Sequence, residues 1–288
     1  MQDLYGKRTP IAGICKRQPG LWNIVAYEKE WDIYPDSFDF LNRDSDLFKL
    51  KSFEKEIYFG LMRPFLNTLP KESVILDAGC GIGRFSVELV RRGFKVNLVD
   101  SSEKALKKAL EYLGREKGAE FDVHWGNVAN LPMFSNASFD AILAIELICY
   151  CNSPKEVVKE LVRVTKKNGL IIISVEGKYG GMLSDPNVRF DKLSAIVQDG
   201  LLYKKNHLYV HYYTPASLKR LLEECGIDVI GVFGSHYVTD GIFQGLIDVD
   251  KLDNKNYKTR VLKIEKLCQN DPVLKNLARA WVAVGRKR

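Results

Sequence analysis

The stretch Val74-Ile75-Leu76-Asp77-Ala78-Gly79-Cys80-Gly81-Ile82-Gly83-Arg84-Phe85 decides how the chain is read. An apolar run ends in an acid, three glycines alternate, and the apolar spacing of a helix (Val87, Leu89, Val90) begins at once. The pattern predicts strand, tight loop, helix, with bare backbone presented at the turn. A dinucleotide fold wants Gly-x-Gly-x-x-Gly, so that a pyrophosphate sits on amides at the helix N-terminus. Here the glycines are Gly79, Gly81 and Gly83, and Arg84 stands at the third glycine of that fingerprint. The charge of Asp77 would oppose a pyrophosphate and suits a cationic ligand.

Working outward, Phe94 to Val99 reads as a second strand ending in Asp100, 19 residues beyond Gly81. At that spacing a carboxylate in a β-α-β unit can hold both hydroxyls of an adenosine ribose, which fits either nucleotide reading. Ser101 and Ser102 are placed to cap a helix over 103–112. A third strand, Phe121 to Trp125, breaks at Gly126-Asn127-Val128. Leu131-Pro132-Met133-Phe134 and Ser138-Phe139-Asp140 then lead into a fourth strand that ends at Glu146. A helix over 154–164, a turn at Lys166-Lys167-Asn168-Gly169 and a strand over 170–175 follow. A capped helix from Thr214, a strand over 227–233 and a last antiparallel strand over 281–286 complete the alternation.

These residues together resemble the class I S-adenosylmethionine-dependent methyltransferases. Asp77-x-Gly79-x-Gly81-x-Gly83 has the form of their first motif, and the Leu-Pro-Met-Phe and Ser-Phe-Asp segments are similar to the small-molecule branch related to ubiquinone and menaquinone C-methyltransferases. The resemblance covers roughly residues 70–233 and the last ten. It implies an α/β fold, a Rossmann-like seven-stranded mostly parallel sheet with helices on both faces, with an N-terminal helical cap and insertions. It also implies S-adenosylmethionine as cofactor and S-adenosylhomocysteine as product. In that reading Asp77 lies near the methionine end, the backbone of Gly79, Cys80, Gly81 and Gly83 packs against the cofactor, and Asp100 with Ser101 holds the ribose. Asn127 and Val128 bind adenine; the family commonly has Gly-Asp where this chain has Gly126-Asn127, and a turn role for Asn127 stays open. Glu146 is expected to contact cofactor or acceptor, or else to be a carboxylate at a helix start.

A methyl acceptor must lose a proton at some stage, which makes His211, Glu146 and Tyr212 the catalytic candidates, with His207 beside them. The alternation His207-x-Tyr209-x-His211 puts these side chains on one face of a strand, and half-buried positions without a proton role are the alternative. His124 reads as structural. The aromatic segment from Trp22 to Phe40 includes Tyr27 to Tyr34, loosely similar to the helix that closes over cofactor and substrate in the small-molecule branch. It suggests a hydrophobic or aromatic acceptor, or simply a helix docked on the core.

With 288 residues, 46% hydrophobic and 27% charged, the chain has material for one large core and additions. The expected division is 1–70 as N-terminal segment and helical cap, with an amphipathic helix over 46–68, then 71–234 as the core. Within it 176–212 is a candidate substrate lid bearing a helix near 190–202. Residues 235–275 form a Lys-rich helical insertion and 276–288 the final strand. No apolar run approaches the ~18 residues of a membrane span, and the N-terminus lacks a signal-peptide apolar region, so a cytoplasmic location is expected. The six cysteines form no Cys-x-x-Cys pair and no His lies at ligand spacing, so neither metal nor disulfide is expected. Net charge is +7, and residues 251–288 carry eleven Lys or Arg against three Asp or Glu, leaving the remainder at −1. The body is not a basic platform, and nucleic acid is not the expected partner. The fourth strand ends Glu146-Leu147-Ile148-Cys149 rather than in the Asn/Asp-Pro-Pro-Tyr/Phe that holds a flipped base. A small-molecule acceptor and a monomer or homodimer are expected. An RNA or protein methyltransferase using the basic C-terminal region, or a non-catalytic cofactor-binding protein, are the alternatives.

Overall fold

A computed structural model describes residues 14–17, 39–45, 47–184, 188, 190–203 and 209–288. The aromatic segment before residue 39, and His207, lie outside them.

The described elements are β1 (Ile14–Arg17), α1 (Phe48–Leu66), β2 (Val74–Ala78), α2 (Ser86–Arg91), β3 (Lys95–Asp100), α3 (Glu103–Leu113), β4 (Phe121–Trp125) and β5 (Phe139–Ala144). They continue as α4 (Pro154–Val164), β6 (Thr165–Glu176), α5 (Lys178–Ser184), α6 (Leu193–Asp199), β7 (Leu201–Tyr203), β8 (Tyr209–His211), α7 (Pro215–Glu224), β9 (Ile227–Ser235), α8 (Lys255–Asn270) and β10 (Ala280–Lys287). The main sheet runs β1-β4-β3-β2-β5-β6-β10-β9, and β7-β8 form a separate pair. All neighbours are parallel except β10, antiparallel to both β6 and β9. The seven expected strands are therefore present, with β1 added beside β4.

Strand alternation divides the core in two. Ala141 and Leu143 face the cluster holding Tyr58, Met62 and Leu66 of α1, Leu89 of α2 and Leu106 of α3. Ile142 and Ala144 face the other, with Val158 and Leu161 of α4 and Leu218 and Leu222 of α7. Both faces of the sheet are thus covered, which parallel strands require. Each fully buried Leu here contributes about 1.5–3 kcal/mol. Helix starts are specified locally. Ser102 Oγ accepts from Ala105 N at 3.1 Å, and Thr214 with Ser217 forms a reciprocal capping box ahead of Pro215.

Two details differ from the sequence reading. Thr165 already pairs with Phe139, so residues 166–169 are not a turn before the strand but a bulge within β6, Asn168 standing at φ +61°. The expected helix near 190–202 stops at Asp199, because Gly200 takes the left-handed conformation at φ +68° and the chain turns into β7. Helix α5 sits close on the core. A Cβ at Gly180 would lie 2.2 Å from the Leu277 carbonyl, so α5 approaches the segment before β10 as only glycine allows.

Helix α8 packs on α1 through Phe53, Ile57 and Val261, and reaches the end of β9 with one side chain. Glu265 is 2% exposed and accepts from the amides of His236 (2.5 Å), Tyr237 (3.0 Å) and Val238 (3.2 Å). Burial pushes its carboxyl up to about 7, although the three amides pull it down. Folding therefore takes up a proton here, and the resulting stabilisation, complete below the ordinary carboxylate range, is lost as pH rises through about 7. Glu265→Gln should cost about 1–3 kcal/mol near pH 6 and flatten the fall of the thermal midpoint towards alkaline pH; calorimetry of both proteins across that range checks it.

Candidate active site

The chain leaves β2 at Ala78 and turns through Gly79, Gly81 and Gly83 at φ +68°, +53° and +81°. An L side chain is strained in each of these conformations. The Gly79 and Cys80 amides donate to Val99 O at 2.8 and 3.1 Å, tying the loop to β3. A Cβ at Gly79 would stand 2.5 Å from Leu147 Cδ1, so the loop after β5 leans directly on it, whereas nothing lies within 4 Å of a Cβ at Gly81. The middle of the loop faces open space at the carboxyl ends of the strands, where open α/β sheets bind ligands.

The expected cofactor residues are gathered around this loop. Asp100 ends β3; its carboxylate accepts from Gly81 N at 2.8 Å and Ser102 N at 2.9 Å, so loop and acid are locked together. Ser101 lies between them and its carbonyl accepts from Trp125 Nε1 at 2.7 Å. Asp77 is 2% exposed and accepts from Ser86 Oγ at 2.5 Å, fastening the start of α2. Burial pushes its carboxyl up to about 6, with the Asp100 charge adding to the shift. The Cys80 thiol is buried and raised by desolvation, which leaves it an inert packing group. Asn127 Oδ1 accepts from Ala129 N at 2.9 Å, the local turn, and Val128 is buried beside it.

Glu146 is the centre of a second set of groups. It follows β5 in the left-handed region at φ +54°. Tyr58 Oη of α1 donates to its carboxylate at 2.8 Å, its amide donates to Ser174 Oγ of β6 at 2.9 Å, and Ser174 Oγ lies 3.4 Å from Tyr58 Oη. The groups packed around the carboxyl of Glu146 push it up by desolvation, but Arg84, Lys51, Arg279 and His236 outweigh them and hold it at about 2, although the residue as a whole is exposed. Around this anion, Lys51 bridges Glu54 (2.8 Å) and Asp240 (3.1 Å), while Tyr150 donates to Glu176, which also pairs with Arg279. Arg84 is 8% exposed and lies over the Phe85 ring at 5.1 Å, 3.9 Å from Glu54. Its Nε and Nη2 are buried with no hydrogen-bond partner among the described residues.

His211 and Tyr212 sit on the other side of this cluster. His211 is half-buried, lowered by burial although it hydrogen-bonds the Cys151 backbone, and its Nε2 has no partner among the described residues. Tyr212 is buried with Ile196, Leu202 and Val210, and a Cβ at Gly181 would touch both its ring and Glu176. His124 meets Asn97 at 3.0 Å and packs edge-on against Phe134, within the core. The sequence reading missed Tyr58, Lys51, Glu176, His236 and Arg279, and took Arg84 only as a glycine replaced. The signal available was positional: Glu176 and His236 directly end or follow parallel strands, as Glu146 does.

Residues 76–173 match the family described as a methyltransferase domain, a third of the chain. That span holds the glycine loop, Asp100 and Glu146. The chain carries a class I methyltransferase domain, of the kind that uses S-adenosylmethionine. Among curated proteins the chain is 27% identical over 163 residues to a ubiquinone biosynthesis O-methyltransferase of Idiomarina loihiensis, covering 56% of this chain and 63% of the relative. It is 29% identical over 163 residues to that of Nitrosococcus oceani, covering 57% and 66%. The chain thus spans less than two thirds of these relatives' length. Among solved structures, an S-adenosylmethionine-dependent methyltransferase of Methanosarcina mazei superposes with TM-score 0.54 at 18% identity, covering 78% of this chain and 96% of that one. The cyclase SpnF superposes at 0.51 with 16% identity, covering 79% and 80%. Among the described residues of the methyltransferase chain no helix is long and apolar enough to cross a membrane, and no His, Cys, Asp and Glu group could hold a metal.

Tyr58→Phe deletes a buried hydroxyl that donates to the ionised Glu146 carboxylate. It should cost about 1–3 kcal/mol in urea unfolding at neutral pH. The cost should shrink in acid, as Glu146 takes up a proton, and paired denaturation curves at the two pH values check it.

Proposed function

We propose that the chain transfers a methyl group from S-adenosylmethionine to a small acceptor that combines an apolar or aromatic body with an anionic or strongly polar handle. The observation that carries the acceptor half of this reading is Arg84, a buried guanidinium with two nitrogens that have no hydrogen-bond partner among the described residues, Nη2 lying 3.9 Å from Glu54, set over the Phe85 ring and 5.8 Å from that of Phe40. A buried cation with open donors is costly unless a ligand completes it, and guanidinium geometry matches a carboxylate or similar planar anion. The names of the curated relatives, O-methyltransferases of ubiquinone biosynthesis, support a small-molecule acceptor as well.

The residues present fit the cofactor. Open space before Gly81, backbone bared by three left-handed glycines, and carboxylates at the ends of β2, β3 and β5 suit a nucleoside carrying a cationic amino-acid arm. In this reading Asp100, held in place by the amides of Gly81 and Ser102, takes the ribose hydroxyls. Ser101 borders the ribose, Gly79, Cys80 and Gly83 shape the floor, and Asn127 with Val128 borders adenine. Asp77 supports the floor through Ser86, and Glu146 faces the methionine end and the acceptor together. When bound, S-adenosylmethionine supplies a methyl group on a cationic sulfur. The chain's part is alignment and exclusion of water, because charge disappears as the nucleophile attacks and little covalent help is needed. His211 and Tyr212 then form the lid-side wall, with His211 as a candidate proton acceptor.

Calorimetric titration with S-adenosylhomocysteine, with NAD as control, tests the cofactor half. Wild type should bind with micromolar affinity, NAD should not bind, and Asp100→Ala should weaken binding roughly 10–100-fold, the worth of hydrogen bonds to a charged group. Binding of NAD alone would sink the reading.

A further inference from the structure

One buried imidazole stands at the acceptor end of the site without a role in the reading above. His236 follows β9, and β9 runs parallel to β6, so His236 reaches the same carboxyl edge of the sheet as Glu146 and Glu176. It is 2% exposed, and its ring lies 4.3 Å from that of Tyr58, whose hydroxyl bonds Glu146. Its backbone is strained at φ +62°, a conformation that a histidine adopts only when its surroundings impose it. What imposes it is Glu265, the α8 carboxylate that accepts the amides of residues 236, 237 and 238. Strain held by a dedicated buried group at a ligand crevice marks a functional position more often than a structural one.

The hydrogen bonds allow one ring tautomer that leaves Nε2 open. Ser235 Oγ lies 3.3 Å from Ala280 O and 2.9 Å from His236 Nδ1. With the hydroxyl donating to the Ala280 carbonyl, Nδ1 carries the ring proton and donates to Ser235, and Nε2 bears a bare lone pair. That Nε2 is buried with no partner among the described residues. A buried lone pair left unpaired beside the open Arg84 nitrogens is a place for a ligand donor.

The geometry points to His236 Nε2 as the proton acceptor of the methyl-transfer site, with Glu265 as its positioning residue; this rests on the methyltransferase reading given above. The acceptor's O–H or N–H faces Nε2. As oxygen or nitrogen forms its bond to the methyl carbon, the methyl–sulfur bond breaks with its electron pair going to sulfur, and the proton passes to Nε2. The imidazolium, facing Glu146 and Asp240, then releases the proton to water. Burial, helped by Arg84 and Lys51 and opposed by Glu146 and Asp240, lowers the free histidine to about 4, so it rests neutral and ready to accept at neutral pH. Tyr58 and Glu265 complete the groups packed against it.

Two measurements test the assignment. In ¹⁵N-histidine-labelled full-length protein, NMR should show His236 as the neutral Nδ1–H form from about pH 6 upward, with and without S-adenosylhomocysteine. Transfer of labelled methyl from S-adenosylmethionine into the small-molecule fraction of a cell extract supplies the second. His236→Asn, which tolerates a positive φ and cannot take the proton, should keep S-adenosylhomocysteine affinity and lose about 10²–10⁴-fold in transfer. His236→Gly should recover part of its transfer when imidazole is added, and Glu265→Gln should transfer better than Glu265→Ala. An Nε2–H form, wild-type transfer by His236→Asn, or no recovery with imidazole overturns the assignment and leaves the methyltransferase reading standing. A wild type that binds S-adenosylhomocysteine and transfers nothing overturns both.

Discussion

The interactions of one carboxylate, Glu146, tie together the elements at the carboxyl edge of the sheet. It accepts from Tyr58 of α1, its amide donates to Ser174 Oγ of β6, and the cations that keep it ionised come from α1, the glycine loop and the segment before β10. The residue keeps contact with solvent, so these hydrogen bonds and charges, rather than exclusion of water, hold the arrangement. The anion thereby links the glycine-loop side of the sheet to the elements added around it.

The additions are coupled to the site rather than appended to it. Helix α8 is rich in lysine, yet its contribution to the edge is an acid, Glu265, and several basic groups of the C-terminal region are already paired: Lys258 with Glu56, Lys251 with Asp248, Arg288 with Asp228. The cyclase among the structural neighbours makes the complementary point, that this fold does not by itself fix a reaction.

The parts of the fold legible in the sequence were those governed by local rules. Alternating apolar strands, glycines at positions needing positive φ, serine and threonine caps, and acids closing β2, β3 and the β5 loop are each written in a short local stretch of sequence. Residues 166–169 were misread because Lys-Lys-Asn-Gly has the composition of a turn, and only the pairing of Thr165 with Phe139 shows that the strand has already begun. The helix after Phe190 was overextended because Gly200 looks innocuous until its handedness is seen. Tyr58 and Arg279 gave no sequence signal, and His236 only the positional one of following a strand, since their meaning lies in contacts between elements far apart in the chain, 88 residues for Tyr58 and Glu146. Side chains that read locally as core aromatic, loop histidine and surface arginine become a site only when the sheet closes.

That closure has an order. β10 pairs with β6 on one side and β9 on the other, so the two earlier strands never meet and wait for the later one to be inserted between them. On a ribosome, Tyr58, the glycine loop and Glu146 emerge long before Arg279 and Ala280, and during that interval both strands present unpaired edges. A nascent chain can therefore assemble the nucleotide half early but not the acceptor half, and its exposure to mispairing is greatest just before synthesis of the strand that completes both the sheet and the charge cluster.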